Sequence, residues 1–117
     1  MVKRYHKSYQ GFDWSKVPDF CREVPPRFFS NHSITRLRER GESHLQGKIL
    51  SIPLLPENCF EYYLDDYGVK KAVFRCHFDQ KRDIVLVVAR EGLICSMWYN
   101  NRGDKHATLN RRLYNGR

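Results

Sequence analysis

The residues of this chain that could do chemistry are histidines and arginines at close spacing. Arg75 and His77 are two positions apart, so in a strand their side chains would point to the same side of a sheet. A histidine can move a proton at a ribose 2′-hydroxyl or a leaving oxygen, and an arginine can hold a phosphate. The pair is therefore a candidate for metal-free cleavage of RNA. Two ordinary solvent-facing strand residues would give the same pattern.

Two further histidines have supporting neighbours. The carboxylate of Asp104 would favour the charged form of His106, which could then act as an acid or a base. His32 lies at the predicted start of a helix, where the positive end of the helix dipole would lower its pKa and keep it neutral. The alternatives are an exposed loop histidine for His106 and a capping or packing histidine for His32.

The chain is strongly basic. It has 117 residues with 21 Lys and Arg against 13 Asp and Glu, for a net charge of +8. Such a chain attracts polyanions before any specific contact forms, and its aromatic residues can either fill a core or stack on bases. We expect RNA or another nucleic acid as the partner. The residues expected to contact it are Arg40, Trp98, Arg102, Lys105, Arg111 and Arg112.

The four cysteines contain no C-x-x-C pair, so the clustered soft ligands of a metal site are missing and no metal or cofactor is expected. Cys76 and Cys95 lie in apolar strand patterns, where a thiol behaves as a small buried hydrophobe. The N-terminal residues do not resemble a signal peptide, and no apolar run approaches membrane-spanning length. These features predict a cytoplasmic protein with reduced thiols and no membrane partner.

The predicted helices precede the candidate strands. Residues 1–29 are expected to be a basic N-terminal arm and linker, with a helical turn that begins near Val17. Helices are expected over residues 30–56, the first between an N-cap at Ser30 or Asn31 and a terminator at Gly41, and a shorter one after it.

Residues 57–101 are expected to form the sheet. In Lys70–Phe78 the even positions are apolar and the odd positions are mixed and basic, while Asp83–Ala89 is apolar on both sides and suits a central strand. Phe60–Asp66 and Leu93–Tyr99 supply the flanking strands, and the short connections imply an antiparallel meander.

The predicted fold class is therefore α+β within a single domain, residues 1–117. N-terminal helices would pack on one face of a three- to four-stranded antiparallel sheet. A basic tail, residues 102–117, would follow as a short tail or a terminal helix capped near Thr108. If the helices cover the apolar side of Lys70–Phe78, Arg75 and His77 emerge on the open side.

The run N-H-S-I-T-R-L-R-E-R-G at Asn31–Gly41 resembles the opening helix, H-A-x-x-R-[LM]-x-x-R, of a family of small bacterial and phage domains of uncharacterised function. Those domains end in a V-x-T-V-[WY]-like strand, where this chain has Ile94–Trp98. The family is similar to the RelE-like, barnase/EndoU/colicin superfamily of toxins and ribonucleases. His32, Arg36 and Arg40 match its motif. The resemblance implies helices on one face of a four-stranded antiparallel sheet and a metal-free ribonuclease site.

Two functions are expected on these grounds. The first is a RelE-like, toxin-type endoribonuclease that needs no metal and cleaves RNA by attack of the 2′-hydroxyl, with an acidic antitoxin as a further partner. The alternative is a non-catalytic basic protein of phage type that binds nucleic acid or inhibits a host protein. The expected catalytic residues are His32, His77 and His106 for proton transfer and Arg36 and Arg75 for holding the phosphate.

Overall fold

The computed structural model describes residues 4–7 and 15–103, with the backbone alone for residues 4–7 and Leu64. Within these ranges the chain folds as α+β, as predicted. The helices are α1 (Lys16–Glu23), α2 (Asn31–Glu39) and α3 (Gln46–Leu50). The strands are β1 (Arg4–Lys7), β2 (Phe28–Phe29), β3 (Cys59–Asp65), β4 (Gly68–His77), β5 (Arg82–Ala89) and β6 (Leu93–Asn101). None of the described helices is long and apolar enough to cross a membrane.

The sheet is larger than predicted and is mixed. Its strand order is β1-β3-β4-β5-β6-β2. Strands β3 to β6 form the expected antiparallel meander, but β1 adds to β3 as an antiparallel edge and β2 adds to β6 as a parallel one. The two added strands are four and two residues long. Strands this short leave no readable hydrophobic period, so the interpretation of residues 1–29 as arm and linker missed them.

Helix α2 is held against β6 by two serines. Ser30 caps the helix by accepting from the backbone N–H of Ser33 at 3.1 Å, as predicted for this N-cap. The Ser33 hydroxyl is buried and donates to the carbonyl of Ile94 at 3.3 Å, and the backbone N–H of Ser30 donates to the same carbonyl at 3.2 Å. The start of the helix is thus fixed to the start of β6. Near the other end Gly41 takes a φ of 68°, the conformation expected of a helix terminator.

The sheet has an apolar cluster on each face. On one face the even positions of β4, predicted to be apolar, join residues from all three described helices. On the other face Val73, Val85 and Val87 form a second cluster, each with an exposure of 1% or less. Tyr63 and Trp98 pack against this second cluster and are half-buried. Strand β5 is therefore buried on both sides, as predicted for a central strand.

The turn between β5 and β6 approaches the chain before β2 closely. Gly92 has a φ of 94°, and a Cβ placed on it would lie 2.8 Å from the carbonyl oxygen of Pro26. The Gly92 carbonyl accepts from the backbone N–H of Phe28 at 3.0 Å, which begins the β2–β6 pairing. Only glycine allows both this conformation and this contact.

We expect Gly92→Ala to lower the free energy of unfolding by about 2–3 kcal/mol, because the methyl group adds a backbone clash to the strain of a positive φ. Gly41→Ala is the matched control, since it has a positive φ but nothing within 4 Å of the added Cβ. That control should cost only about 1 kcal/mol. Urea unfolding followed by circular dichroism measures both. Equal losses in the two variants would show that the contact with Pro26 does not matter.

Candidate functional site

Arg75 is committed to the protein interior and is not free to hold a phosphate. Its Nε donates to Asp83 at 2.9 Å and its Nη2 to the carbonyl of Asn101 at 3.0 Å. The side chains of Arg75 and Asp83 are only 8% and 9% exposed. The sequence interpretation took Arg75 for a solvent-facing residue because the strand pattern does not reveal the buried carboxylate on the next strand.

Arg102, expected to contact nucleic acid, is bound to the same carboxylate. Its Nε donates to Asp83 at 3.1 Å, and its guanidinium also donates to the carbonyls of Gln80 and Arg82 at 3.3 and 3.2 Å and to that of Asp79. Burial works to raise the pKa of Asp83, but the hydrogen bonds and charges of its two arginine partners outweigh burial and the pKa is lowered. Asp83, Arg75 and Arg102 are called the Asp83 brace below.

The face that was expected to present the site is largely closed. Trp98 lies opposite Val85 in the register and is half-buried against the second apolar cluster, so it is not the exposed stacking platform that was expected. His77 is the exception, since it is exposed at the end of β4, opposite Asp83. The odd positions of β4 were thus predicted to form an open basic face, but in the structure most of them are buried or half-buried.

The candidate histidines of the described chain lie near opposite ends of the sheet. His32 is exposed in the first turn of α2, beside the Ile94 end of β6. Through the register Ile94 aligns with Val88 and Ala72, and His77 lies five residues further along β4, about 17 Å away at the usual strand rise. They cannot act as an acid and base on one phosphate. The remaining candidates, His106, Lys105, Arg111 and Arg112, and the terminal helix near Thr108 lie outside the described residues.

Arg36 and Arg40, the other two positions of the helix motif, are exposed, Arg36 on α2 and Arg40 as the residue that caps its C-terminal end. They are four residues apart, so they lie on the same flank of the helix. Neither forms an ion pair with any other residue that the structure describes. Arg40 lies close enough to Tyr99 for its charge to lower the pKa of that hydroxyl, against a larger opposing effect of burial. Arg40 therefore lies beside a second group of residues, which the sequence did not predict.

This group, called the strand-end cluster, lies where β4 ends and β5 begins. Arg82 lies over the rings of Tyr99 and Phe78, with its guanidinium carbon 4.5 and 5.5 Å from their centroids. Lys48 of α3 lies 4.0 Å above the ring of Phe78. The two rings are 5.1 Å apart. The cluster consists of Arg40, Glu42, Lys48, Phe78, Arg82 and Tyr99.

Glu42 supplies a carboxylate within this basic cluster. Its Oε1 and the Tyr99 hydroxyl are both buried, and their hydrogen-bonding interaction is with each other. Burial raises the pKa of Tyr99, and the nearby Glu42 carboxylate raises it further. Glu42 and Tyr99 thus form a buried pair in which the phenol is the donor and the carboxylate the acceptor.

Sequence reasoning missed most of the strand-end cluster because its members come from five separate segments. Phe78 was read as part of the apolar face of its strand, and Arg82 fell between a predicted turn at residues 79–81 and the predicted strand Asp83–Ala89. The available signal was the spacing of Phe78 and Arg82 across the turn Asp79–Lys81, which brings an aromatic ring and a cation together whenever the flanking strands pair. Arg40 is the member that the sequence did indicate.

The cysteines do not offer a nucleophile. Burial raises the pKa of Cys59 to about 12 and those of Cys21 and Cys76 to about 11, and it raises that of Cys95 as well. Thiols with raised pKa values stay protonated and are poor nucleophiles and ligands. In the described ranges, no three His, Cys, Asp or Glu side chains gather into a group that could hold a metal ion.

Comparison with protein-family models, with curated proteins and with solved structures finds no match for this chain. The resemblance of Asn31–Gly41 to the helix motif therefore stays a prediction. The function has to be inferred from the residues of the site itself.

We expect Asp83→Asn to lower the free energy of unfolding at neutral pH by about 2–4 kcal/mol, because nearly buried Arg75 would lose its counter-charge. The folded-state pKa of Asp83 lies below its unfolded value, so this stabilisation is complete above about pH 5 and is lost as the pH falls through the folded pKa. The native protein should therefore unfold at a lower urea concentration as the pH falls, and the urea midpoint of the variant should depend less on pH.

Asp66→Asn is the matched control, because Asp66 is an exposed turn carboxylate. Its effect should stay within about 0.5 kcal/mol. An Asp83→Asn protein that unfolds at the same urea concentration as the native chain would contradict a stabilising role for the Asp83 brace.

Proposed function

We propose that this chain binds RNA through the strand-end cluster and the adjoining flank of α2. The observation that carries the proposal is the position of Lys48 and Arg82 over two aromatic rings, with Arg40 close enough for its charge to act on the Tyr99 hydroxyl. Of these three cations only Arg82 has a carboxylate partner among the described residues, and its pair with Asp79 is more than one-third exposed on both sides. An exposed pair of this kind contributes little and yields readily to a phosphate.

The flank of α2 extends this positive surface. His32, Arg36 and Arg40 recur every four residues, a repeat of about 6 Å along the helix. All three are exposed, and they lie beside the stripe that Leu37 buries. Because Arg40 approaches Tyr99, the row of cations continues into the strand-end cluster. The two parts together form a basic track with several successive positions for phosphate.

The track is suited to the phosphate backbone and not to bases. Phe78 is only 8% exposed, and Lys48 and Arg82 already lie over its ring, so no base can stack there. The rings instead hold the cations in place, which reduces the entropy lost when a phosphate binds. Backbone contacts fix position without reading sequence. The resemblance to RelE-like domains favours RNA, and an acidic antitoxin or host protein would compete for the same cations.

We expect Arg40→Gln and Lys48→Gln each to weaken binding of a labelled single-stranded RNA by about 3- to 10-fold, because each removes one phosphate contact. Each should also lower the slope of log affinity against log salt by about 0.7. Fluorescence anisotropy over a series of salt concentrations measures both quantities.

Arg38→Gln is the matched control, since Arg38 is exposed on the same helix but on the opposite flank from Arg40. It removes the same charge and should change affinity by less than about 2-fold. If all three variants lose affinity equally, net charge alone attracts RNA and the track is not a site. A stoichiometric complex with an acidic protein and no RNA affinity would instead favour the alternative partner.

A second candidate function, metal-independent cleavage of the bound RNA, is favoured by Glu42. This carboxylate lies among cations and interacts with the buried Tyr99 hydroxyl. It would take the proton of a 2′-hydroxyl while the 2′-oxygen bonds to phosphorus and the bond to the 5′-oxygen breaks. The leaving oxygen takes a proton from water, and Arg40 and Arg82 stabilise the charge on the phosphate. The products are a 2′,3′-cyclic phosphate and a 5′-hydroxyl. In this candidate function Glu42 takes the place of the histidines expected from the sequence, of which His32 and His77 lie far apart.

Labelled RNA incubated with the protein in EDTA should be cut, and Glu42→Gln should slow cleavage by about 100-fold or more while leaving RNA affinity unchanged. Glu39→Gln is the control, because Glu39 is exposed on α2 and outside the strand-end cluster. RNA that is bound but remains intact with the native protein would rule out cleavage and leave the binding function standing.

A further inference from the structure

A cleft of about 450 Å³ lies between the end of α1, the link to β2 and the end of α3. Arg27 is the single charged residue that lines it; the other lining side chains are apolar, and polar backbone groups are exposed between them. This volume is within the usual range for small-ligand pockets. The apolar lining consists of Cys21, Val24, Pro25, Pro26, Leu50 and Leu54. None of these residues belongs to the strand-end cluster.

Arg27 is a half-buried cation without a counter-charge. Its Nη2 donates to the carbonyl of Leu50 at 2.8 Å, which ties the link to the end of α3. Its Nη1 is buried and has no hydrogen-bond partner. Burial also lowers the pKa of Arg27, although the nearby Cys76 works in the opposite direction. A carbonyl dipole offsets only part of the cost of taking a guanidinium out of water.

The other arginines whose side chains the structure describes differ from Arg27 in one of two ways. One group has a carboxylate within ion-pair distance and comprises Arg22, Arg75, Arg82, Arg90 and Arg102. The other group is exposed to water on α2 and comprises Arg36, Arg38 and Arg40. Arg27 alone among them is withdrawn from water with neither kind of compensation. Its environment therefore lacks an anion.

The shape and polarity of the cleft define that anion. One guanidinium with two adjacent N–H groups matches a single carboxylate, since the pair can form parallel hydrogen bonds. The apolar side chains of the lining match a compact hydrocarbon body attached to it. A phosphate is disfavoured because its second charge would have no second cation among the lining residues. Nη1 is buried in the structure, so the guanidinium has to rotate before this nitrogen can face the cleft.

We propose that the Arg27 cleft is a binding site for a small monocarboxylate with an apolar body. The ligand's carboxylate accepts hydrogen bonds from Arg27 and its hydrocarbon part lies against Leu50, Leu54 and Val24. The site is independent of RNA binding, since no residue is shared with the basic track.

The test is a titration of the ¹⁵N-labelled full chain with hexanoate, followed by amide chemical shifts. Saturable shifts are expected at Cys21, Val24 and Leu54, with a dissociation constant on the order of 1 mM for a ligand of this size. Hexanol and hexylamine, which have the same apolar body, should bind at least about 10-fold more weakly because they lack the negative charge. Inorganic phosphate should produce no saturable shift at these amides.

Arg27→Met should weaken hexanoate binding at least about 10-fold, and Arg38→Met, which removes an equal charge on the surface of α2, should leave it unchanged. If Arg27→Met does not fold, the comparison of hexanoate with hexanol on the native chain still decides the question. Equal binding of hexanol, saturable binding of phosphate at these amides, or no saturable shift with hexanoate would each overturn the proposal.

Discussion

Strand β5 is buried on both sides, and the rest of the molecule is arranged to satisfy that condition. Residues Ile84–Ala89 have exposures of 8% or less, so both faces of the sheet need cover. On one side the described helices supply Val17, Phe20, Leu37 and Ile49 to the same cluster as the alternate residues of the sheet. On the other side Tyr63 and Trp98 pack against the valines of the neighbouring strands. A strand with two apolar faces leaves no open platform for a site at its middle, so charged chemistry is confined to its ends.

The Asp83 brace follows from this arrangement. Asp83 is the residue of β5 where the apolar run meets the end of the sheet, and its carboxylate is 9% exposed. A carboxylate so withdrawn from water needs cations, and it finds them in Arg75 of β4 and in Arg102, the residue that follows β6. The three residues therefore lock β4, β5 and the end of β6 together. As a result, Arg75 and Arg102, which were expected from the sequence to contact a ligand, are occupied by contacts that stabilise the fold.

Periodicity predicted the central meander well because β5 is buried on both sides and the even positions 72, 74 and 76 of β4 are buried on one, and burial of one side imposes a period of two on the sequence. The helix at Asn31–Glu39 was predicted equally well, because Ser30 is a typical N-cap residue and Gly41 a typical helix terminator. The edge strands were not legible, since β1 and β2 are defined by their partners and carry no period of their own. The strand-end cluster was hidden for a related reason: Glu42, Lys48 and Tyr99 are distant in sequence and meet only when the helices settle on the sheet. Arg75 misled because its partner Asp83 lies on the other strand of the hairpin.

The hydrogen bond between Ser33 and the Ile94 carbonyl joins residues 61 positions apart, and this has a consequence for how the chain is made. At ordinary rates of synthesis, of about 5–20 residues per second, the partner of Ser33 appears several seconds after Ser33 itself. Until β6 has been made, α2 has no sheet edge to dock on and Leu37 has no core to enter. The N-terminal half must therefore wait, with its apolar stripe uncovered, for the last strand of the sheet. Pairings of such long sequence separation also slow folding. The apolar stripe of α2 is therefore most exposed while the chain is being synthesised.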